Sequence, residues 1–418
     1  MTEAVYILGT SCTLFQKRPD RTLKDLTREA YLGALADAGL ATGADISAAW
    51  FGNCFAYYWK QACIRGNVCF IPLVREGLFP ERAPVINVES GCATASVALA
   101  AAYKEVKAGD ADLTLAIGVE KMFDRESPTA VFPLFAAGID QLDPQEWQAH
   151  YRQVAQSLGL KFDPDPHGSI AMDTYAIQAL EHMHRYGTTR EQIAAGAAKN
   201  HCNGALNPLA QYRFEMSVEA VLADRLVADP LTRSMCAPIG DGAAAALVCS
   251  EKYLFRQPEA IRARAVRICG LALTGGKYRR LDEPGLTREA AKRAYSMSGV
   301  VAGDIDLAEI HDATSFSEIY QSEMLGFCGA GEGGPFVAGG ATALHGSLPI
   351  NTSGGLVSKG HPIGATGLSM CYELATQLRG EAGARQVEGA RFALQENGGG
   401  IIGLEEALAA VIIYEGNA

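Results

Sequence analysis

The chain has 418 residues, of which 48% are apolar and 20% charged, with a formal charge of -11 at pH 7. That length predicts two or three domain-sized units, and the acidic balance excludes the basic footprint of a nucleic-acid binder. Its 45 glycines follow no triplet period, which excludes collagen.

The eleven cysteines are odd in number, scattered from Cys12 to Cys371, and never spaced as CxxC. In a chain this long they read as free thiols of a reducing compartment. The opening MTEAVYILGTS has no basic stretch leading into a secretory hydrophobic segment, and no apolar run is long enough to span a membrane. A cytoplasmic location is therefore expected, with no metal or redox cofactor.

In chain order, a strand is expected over Ala4–Leu8 and a helix over 27–39, TREAYLGALADAG. A turn at Gly43–Asp45 and a strand near Ala48–Phe51 follow. A further strand, Pro84–Val88, runs through a turn to Cys92, then into an alanine-rich helix over 93–107 and a strand over Leu113–Val119. The text becomes polar and irregular over 121–231, with helices expected around 168–185 and 190–200. Ile239–Val248 reads as a turn feeding a buried strand.

A second copy of this order then begins. After a crossing at Arg256–Ala260 come a strand over Arg264–Ile268 and a helix over 287–299, TREAAKRAYSMSG, 260 positions beyond its counterpart. Both helices open Thr-Arg-Glu-Ala and close on glycine, which enters the left-handed region cheaply. A turn at Gly303–Asp304, a strand at Leu307–Ile310, a helix over 365–379 and a strand at Ala390–Leu394 complete the copy. Alternating strands and helices predict two α/β halves, 1–255 and 256–418, each with a parallel sheet covered on both faces. The first half carries an insertion over about 121–231.

Cys92 sits where strand gives way to helix. Free backbone N–H groups at a helix start favour a thiolate. The competing reading is an inert core cysteine, the usual fate of a buried free thiol. His361 lies in a glycine-rich loop, and His311 follows the strand Leu307–Ile310, where parallel strands form functional crevices. Either histidine is otherwise a hydrogen-bonded structural residue. His182 and His184, two apart on a helix, face different directions and do not suggest a metal pair.

These motifs resemble the thiolase superfamily, and within it the sterol-carrier-protein-2 branch, including benzoylsuccinyl-CoA-type degradative relatives. The resemblance rests on Gly360-His-Pro-Ile-Gly-Ala-Thr-Gly367, the preceding Asn351-Thr-Ser-Gly-Gly355, Lys199-Asn200-His201, Gly240-Asp241-Gly242 and His311-Asp312. It covers nearly the whole chain. It implies a duplicated α/β thiolase fold in five layers, α-β-α-β-α, with a loop domain inserted in the first half and a dimer or higher homo-oligomer. Cys92 would be the nucleophile, His361 its activating base and His311 an oxyanion donor. The implied activity is coenzyme A-dependent cleavage of a β-ketoacyl thioester, reversible as a Claisen condensation. Coenzyme A enters as a substrate and an acyl-cysteine is the intermediate. The Cys92 N–H and one from Gly398–Gly400 would receive the first oxyanion. Coenzyme A contacts are expected at Lys199, His201, Ser353, Gly398 and Gly399. Relatives also work with a small OB-fold, zinc-ribbon partner.

The chain departs from the family in its second thiol. The branch motif His-Asp-Cys-Phe has Ala313 in place of cysteine, and the C-terminal motif reads Gln395-Glu-Asn-Gly-Gly-Gly400, placing Glu396 where other thiolases carry cysteine. A buried carboxyl there would shuttle the α-proton, or else hold a backbone loop. This departure leaves a ketosynthase-like condensation, a retro-aldolase (with Tyr320 and Tyr372 in view) and a non-catalytic acyl-CoA-binding scaffold as alternatives. Tyr57, Tyr58 and Trp59 are expected near a dimer interface, and Cys328 in a loop by the pocket.

Overall fold

Both Thr-Arg-Glu-Ala segments are helical, and both halves build from them alike. In the computed structural model, which describes residues 3–162, 169–280 and 283–416, the first half begins with β1 (Val5–Cys12), α1 (Leu23–Asp37), β2 (Ala49–Gly52) and α2 (Arg65–Arg75). It continues through β3 (Val85–Val88), α3 (Thr94–Ala108) and β4 (Leu113–Glu120). The polar stretch forms α4 (Pro144–Ser157), α5 (Ile170–Tyr186), α6 (Arg190–Ala205), α7 (Val218–Ala223) and a small hairpin, β5 (Leu226–Ala228) and β6 (Leu231–Thr232). Residue 168, where the first of its helices was expected to start, lies outside the described residues. The half closes with β7 (Gly242–Ser250), and α8 (Glu251–Leu254) and α9 (Glu259–Arg262) make the crossing. The second half runs β8 (Val266–Gly275), α10 (Leu286–Ser298), β9 (Leu307–Glu309), α11 (Ser315–Leu325), α12 (Gly333–Ala338) and α13 (Gly355–Lys359). It ends with α14 (Thr366–Leu378), β10 (Phe392–Gly399) and β11 (Leu408–Glu415). The glycines just beyond α1 and α10, Gly39 and Gly299, have φ of 69° and 75°, the left-handed stop expected of them.

Apart from the β5–β6 hairpin, the strands form one run, β3-β2-β4-β7-β1-β8-β11-β10-β9. Outward from the β1–β8 seam the two halves mirror one another. A parallel bridge between Ala308 and Ile350 flanks β9 as β3 flanks β2. The expectation of parallel sheets needs correction. Only β3-β2-β4 and β9-β10 are parallel, whereas β7 runs antiparallel to β1 and β4, and β11 to β8 and β10. Helical crossovers keep strands parallel, but β7 returns from the insertion and β11 follows β10 through a short loop, and a short connection reverses direction.

Side-chain alternation separates two cores along each sheet. On β7, Ala244, Ala246 and Val248 join a cluster with Leu99 of α3 and Leu368, Cys371 and Leu374 of α14. Ala243, Ala245, Leu247 and Cys249 face α1 and α2 instead. In the second half Val411 and Ile413 face α10, while Ile412 and Tyr414 face the α3–α14 layer. The result is five layers: outer helices, sheet, α3 with α14, sheet, outer helices. Among the described residues no helix is long and apolar enough to cross a membrane, and all eleven cysteines are free.

Candidate active site

Cys92 lies in the turn between β3 and α3, two residues before the helix begins. The turn is tied by the Ser90 N–H to Thr94 Oγ1 at 2.7 Å and by the Ala93 N–H to the Ser90 carbonyl at 3.1 Å. Gly399, at the end of β10, passes so close that a Cβ there would fall 2.2 Å from the Ala93 nitrogen and 2.8 Å from the Cys92 nitrogen. Only glycine allows the two backbones to meet.

His361 arrives from the loop after α13. The insertion holds that loop: the Gln211 N–H donates to the Lys359 carbonyl and the Tyr212 N–H to the Ser358 carbonyl, each at 3.0 Å. On its far side the Gly364 N–H donates to Glu120 Oε2 at 3.1 Å. Glu120, at the end of β4, also accepts from the N–H groups of Cys54 and Phe55, so one carboxyl joins the cavity wall to the histidine loop. His361 Nε2 lies 3.2 Å from Cys92 Sγ, and its Nδ1 lies 2.6 Å from Thr366 Oγ1. The Thr366 hydroxyl donates to the Pro362 carbonyl at 3.1 Å, so it accepts from Nδ1–H. This fixes the tautomer with the Nε2 lone pair aimed at the thiol, the geometry of a base facing its nucleophile.

The resting charge state differs from the expected thiolate. Burial, and then the Glu406 carboxylate, push the Cys92 thiol up to about 12, although its own backbone N–H pulls the other way. Burial, with His311 and Lys359 nearby, holds His361 well below the usual histidine range. Desolvation outweighs the helix start, so the pair rests neutral and the proton crosses only as the sulfur attacks.

His311 completes the cluster. Its ring centroid is 5.3 Å from that of His361, and donor atoms of Cys92, His311 and His361 lie within 4.8 Å of one another. Neither of its ring nitrogens has a partner, and burial lowers its pKa to about 4. A neutral imidazole with an unspent N–H suits an oxyanion donor.

Glu396 is not brought to the thiol as the expected proton shuttle requires. Along β10, Gln395 and Asn397 both hydrogen-bond to Ser96 of α3. Alternation turns Glu396 to the opposite face, where it accepts the His311 N–H at 3.0 Å and the Thr287 hydroxyl at 3.4 Å. Burial, followed by the field of Glu406, raises its pKa well above the carboxylate range. Glu396→Gln, a neutral isostere, is expected to keep turnover within a few-fold. A loss beyond about 100-fold would return this group to the chemistry.

Four of the five expected coenzyme A contacts have partners within the protein. Lys199 Nζ pairs with Glu318 at 2.8 Å and donates to the Ile350 carbonyl. Ser353 Oγ donates to Glu309 at 2.6 Å, and His201 stacks against Tyr212 and Phe214. Gly398 packs under Glu406. With Asn200, which bridges Asp312 and Glu318, these residues pin the inserted α6 to the His311 and His361 loops. Gly399 alone reaches the cavity.

That cavity has a volume of about 340 Å³ and opens over Cys92 and His361. Phe55, Phe135, Met172, Ile363 and Ile401 give it apolar walls, and Ala313 lies on its lining. Phe55 and Phe135 meet edge to face at 5.5 Å. Tyr175 and Cys54 also line it, although no motif or spacing singles them out. Glu120 did carry a signal, as a lone carboxylate ending an apolar strand.

Comparison with known proteins agrees with this geometry. Residues 5–252 match the thiolase N-terminal domain and residues 283–413 the thiolase C-terminal domain-like family. An acetyl-CoA acetyltransferase of Methanothermobacter thermautotrophicus is 39% identical over 98% of this chain and 99% of its own. Human sterol carrier protein 2 is 35% identical over 95% of this chain and 71% of its own. The benzoylsuccinyl-CoA thiolase subunit BbsB of Thauera aromatica is 30% identical over 92% and 91%. In fold, the chain superposes on an Ltp2–ChsH2(DUF35) aldolase chain with a TM-score of 0.77 at 23% identity, covering 99% of this chain and 98% of that one. The match to human mitochondrial 3-ketoacyl-CoA thiolase has a TM-score of 0.69 at 17% identity, covering 100% and 99%. The chain belongs to the thiolase family, and it is an enzyme of coenzyme A thioester chemistry.

Proposed function

We propose that this enzyme cleaves a β-ketoacyl-CoA by thiolysis through an acyl group carried on Cys92. The observation that carries the reading is the 3.2 Å contact between Cys92 Sγ and a His361 Nε2 whose tautomer Thr366 fixes, at the base of an apolar-walled cavity. His361 takes the thiol proton as sulfur attacks the β-carbonyl. The Cys92 N–H and an N–H of the adjoining Gly399–Gly400 segment receive the charge on that oxygen. His311 holds the enolate oxygen of the departing thioester. Free coenzyme A then collects the acyl group, and the same steps reversed condense two thioesters.

The walls favour a bulky or aromatic acyl group, since Phe55 and Phe135 present an aromatic edge and face. A homodimer fits the half-buried edge strand β3 and the exposed Ile64 and Tyr57 beside it. A small OB-fold, zinc-ribbon partner belongs to the same reading, supported by a relative that is itself named a subunit. The free cysteines favour the cytoplasm.

Incubation with aliphatic and aromatic β-ketoacyl-CoA thioesters, with and without free coenzyme A, tests the reaction class. The expected products are two acyl-CoA thioesters, the second of them formed only when free coenzyme A is present. Cleavage to a free aldehyde or ketone, or carbon dioxide release with condensation, would replace this reading.

A further inference from the structure

The thiolysis reading leaves one step without a group to perform it: the carbanion released when the carbon–carbon bond breaks needs a proton. Ala313 has no proton to give, and Glu396 faces away. Among the other proton-bearing side chains on the cavity lining, the Ser90 hydroxyl is aliphatic and far less acidic than a phenol. His361 is committed to Cys92 and Thr366. The Cys54 thiol is held beside the Gly91 carbonyl and Thr94 Oγ1, on the backbone side of Cys92. Glu89 is paired with Arg65 at 2.5 Å and half exposed at the rim. Tyr57 is 40% exposed.

Tyr175 differs from all of these. It projects from the inserted helix α5, is only 9% exposed, and lines the cavity. It packs in one cluster with Ala313 and Phe316, on the side where the branch's cysteine would project. No group among the described residues hydrogen-bonds its hydroxyl.

We propose that the Tyr175 hydroxyl is the general acid that protonates the α-carbon, in the place of the missing second thiol. This rests on the thiolysis reading and assigns its unfilled step. Cleavage of the Cα–Cβ bond leaves its electron pair on Cα, Tyr175 gives that carbon its proton, and the first acyl-CoA departs. Solvent returns to the tyrosinate the proton that His361 took from Cys92, and the freed His361 takes the proton of the incoming coenzyme A thiol. The resulting thiolate attacks the acyl-Cys92, and the expelled cysteine recovers its proton from His361. One thiol hydrogen has moved to carbon, and the tyrosine ends as it began. Burial, then the carboxylate of Glu406 and the thiol of Cys92, raises the Tyr175 pKa well above 10, which keeps it protonated until the carbanion forms.

The test uses paired donors that load the same acyl group on Cys92: acetoacetyl-CoA with acetyl-CoA, and benzoylacetyl-CoA with benzoyl-CoA. The β-keto member expels a carbanion that must be protonated, while the simple thioester expels a thiolate. In Tyr175→Phe, acylation from the β-keto donor is expected to fall at least about 100-fold, with acylation from the simple thioester little changed. Equal loss from both donors, or loss from neither, overturns the assignment. Incorporating 3,5-difluorotyrosine at position 175 keeps the ring and makes the phenol more acidic. It is expected to change the β-keto rate alone, and an unchanged rate overturns the assignment. A wild-type protein that takes an acyl group from none of the four donors overturns the thiolysis reading as well.

Discussion

Cys92→Ala is expected to leave a folded protein whose thiolytic turnover is at least about 10⁴-fold lower, because the covalent intermediate has no atom to form on. The side chain removed is one sulfur at the edge of a cavity, beside a turn whose backbone hydrogen bonds come from Ser90, Ala93 and Thr94. Thermal unfolding should therefore move by only a few degrees, which separates lost chemistry from lost structure. Activity surviving within about tenfold, with a folded protein, would mean that bond cleavage does not pass through an acyl-cysteine. A retro-aldol reaction would behave in that way.

His361→Asn should lower turnover by about 10³-fold, the size of a lost general base. The fall should appear in acylation, before coenzyme A enters. The resting charge state gives a second reading of the same residue. Because the Cys92 thiol is pushed up to about 12 and His361 is held well below its usual range, the free enzyme carries a neutral thiol and a neutral imidazole. A thiol whose pKa is raised gains thiolate only as pH rises. Iodoacetamide should therefore modify Cys92 faster with each step from about pH 6 to pH 9, without levelling. A plateau already present near pH 6 would reveal a preformed thiolate–imidazolium pair. The helix start would then have outweighed burial after all.

Much of the architecture could be read from local pattern. The twin Thr-Arg-Glu-Ala helices and their closing glycines are local signals, and Gly39 and Gly299 have the positive φ those signals demand. Strand direction is not local. Whether β7 lies parallel or antiparallel to β4 depends on where the insertion between them returns the chain, and no residue in either strand encodes that. Glu396 is an intermediate case. Its neighbours Gln395 and Asn397 bond to α3, and a strand's two-residue period then turns Glu396 outward. The motif placed it beside the chemistry in sequence, while the pleat separated it in space.

The residues proposed to hold coenzyme A illustrate another limit. Lys199, His201 and Ser353 are polar and cluster with the family motifs, but their partners are Glu318, the rings of Tyr212 and Phe214, and Glu309. The part-buried Lys199 ammonium, 2.8 Å from a buried carboxylate, holds two elements together with its charge already paired. Tyr175 was hidden for the converse reason. Nothing in the α5 sequence shows that its tyrosine shares a core cluster with Ala313, more than a hundred residues downstream, because that cluster forms only once the insertion has docked.

Mass spectrometry of the intact protein and its peptides, after mixing with a β-ketoacyl-CoA in the absence of free coenzyme A, addresses the nucleophile most directly. A single acyl adduct is expected on the peptide containing Cys92, discharged when coenzyme A is added. Cleavage without any adduct, or an adduct on Cys54 with Cys92 left free, would contradict it.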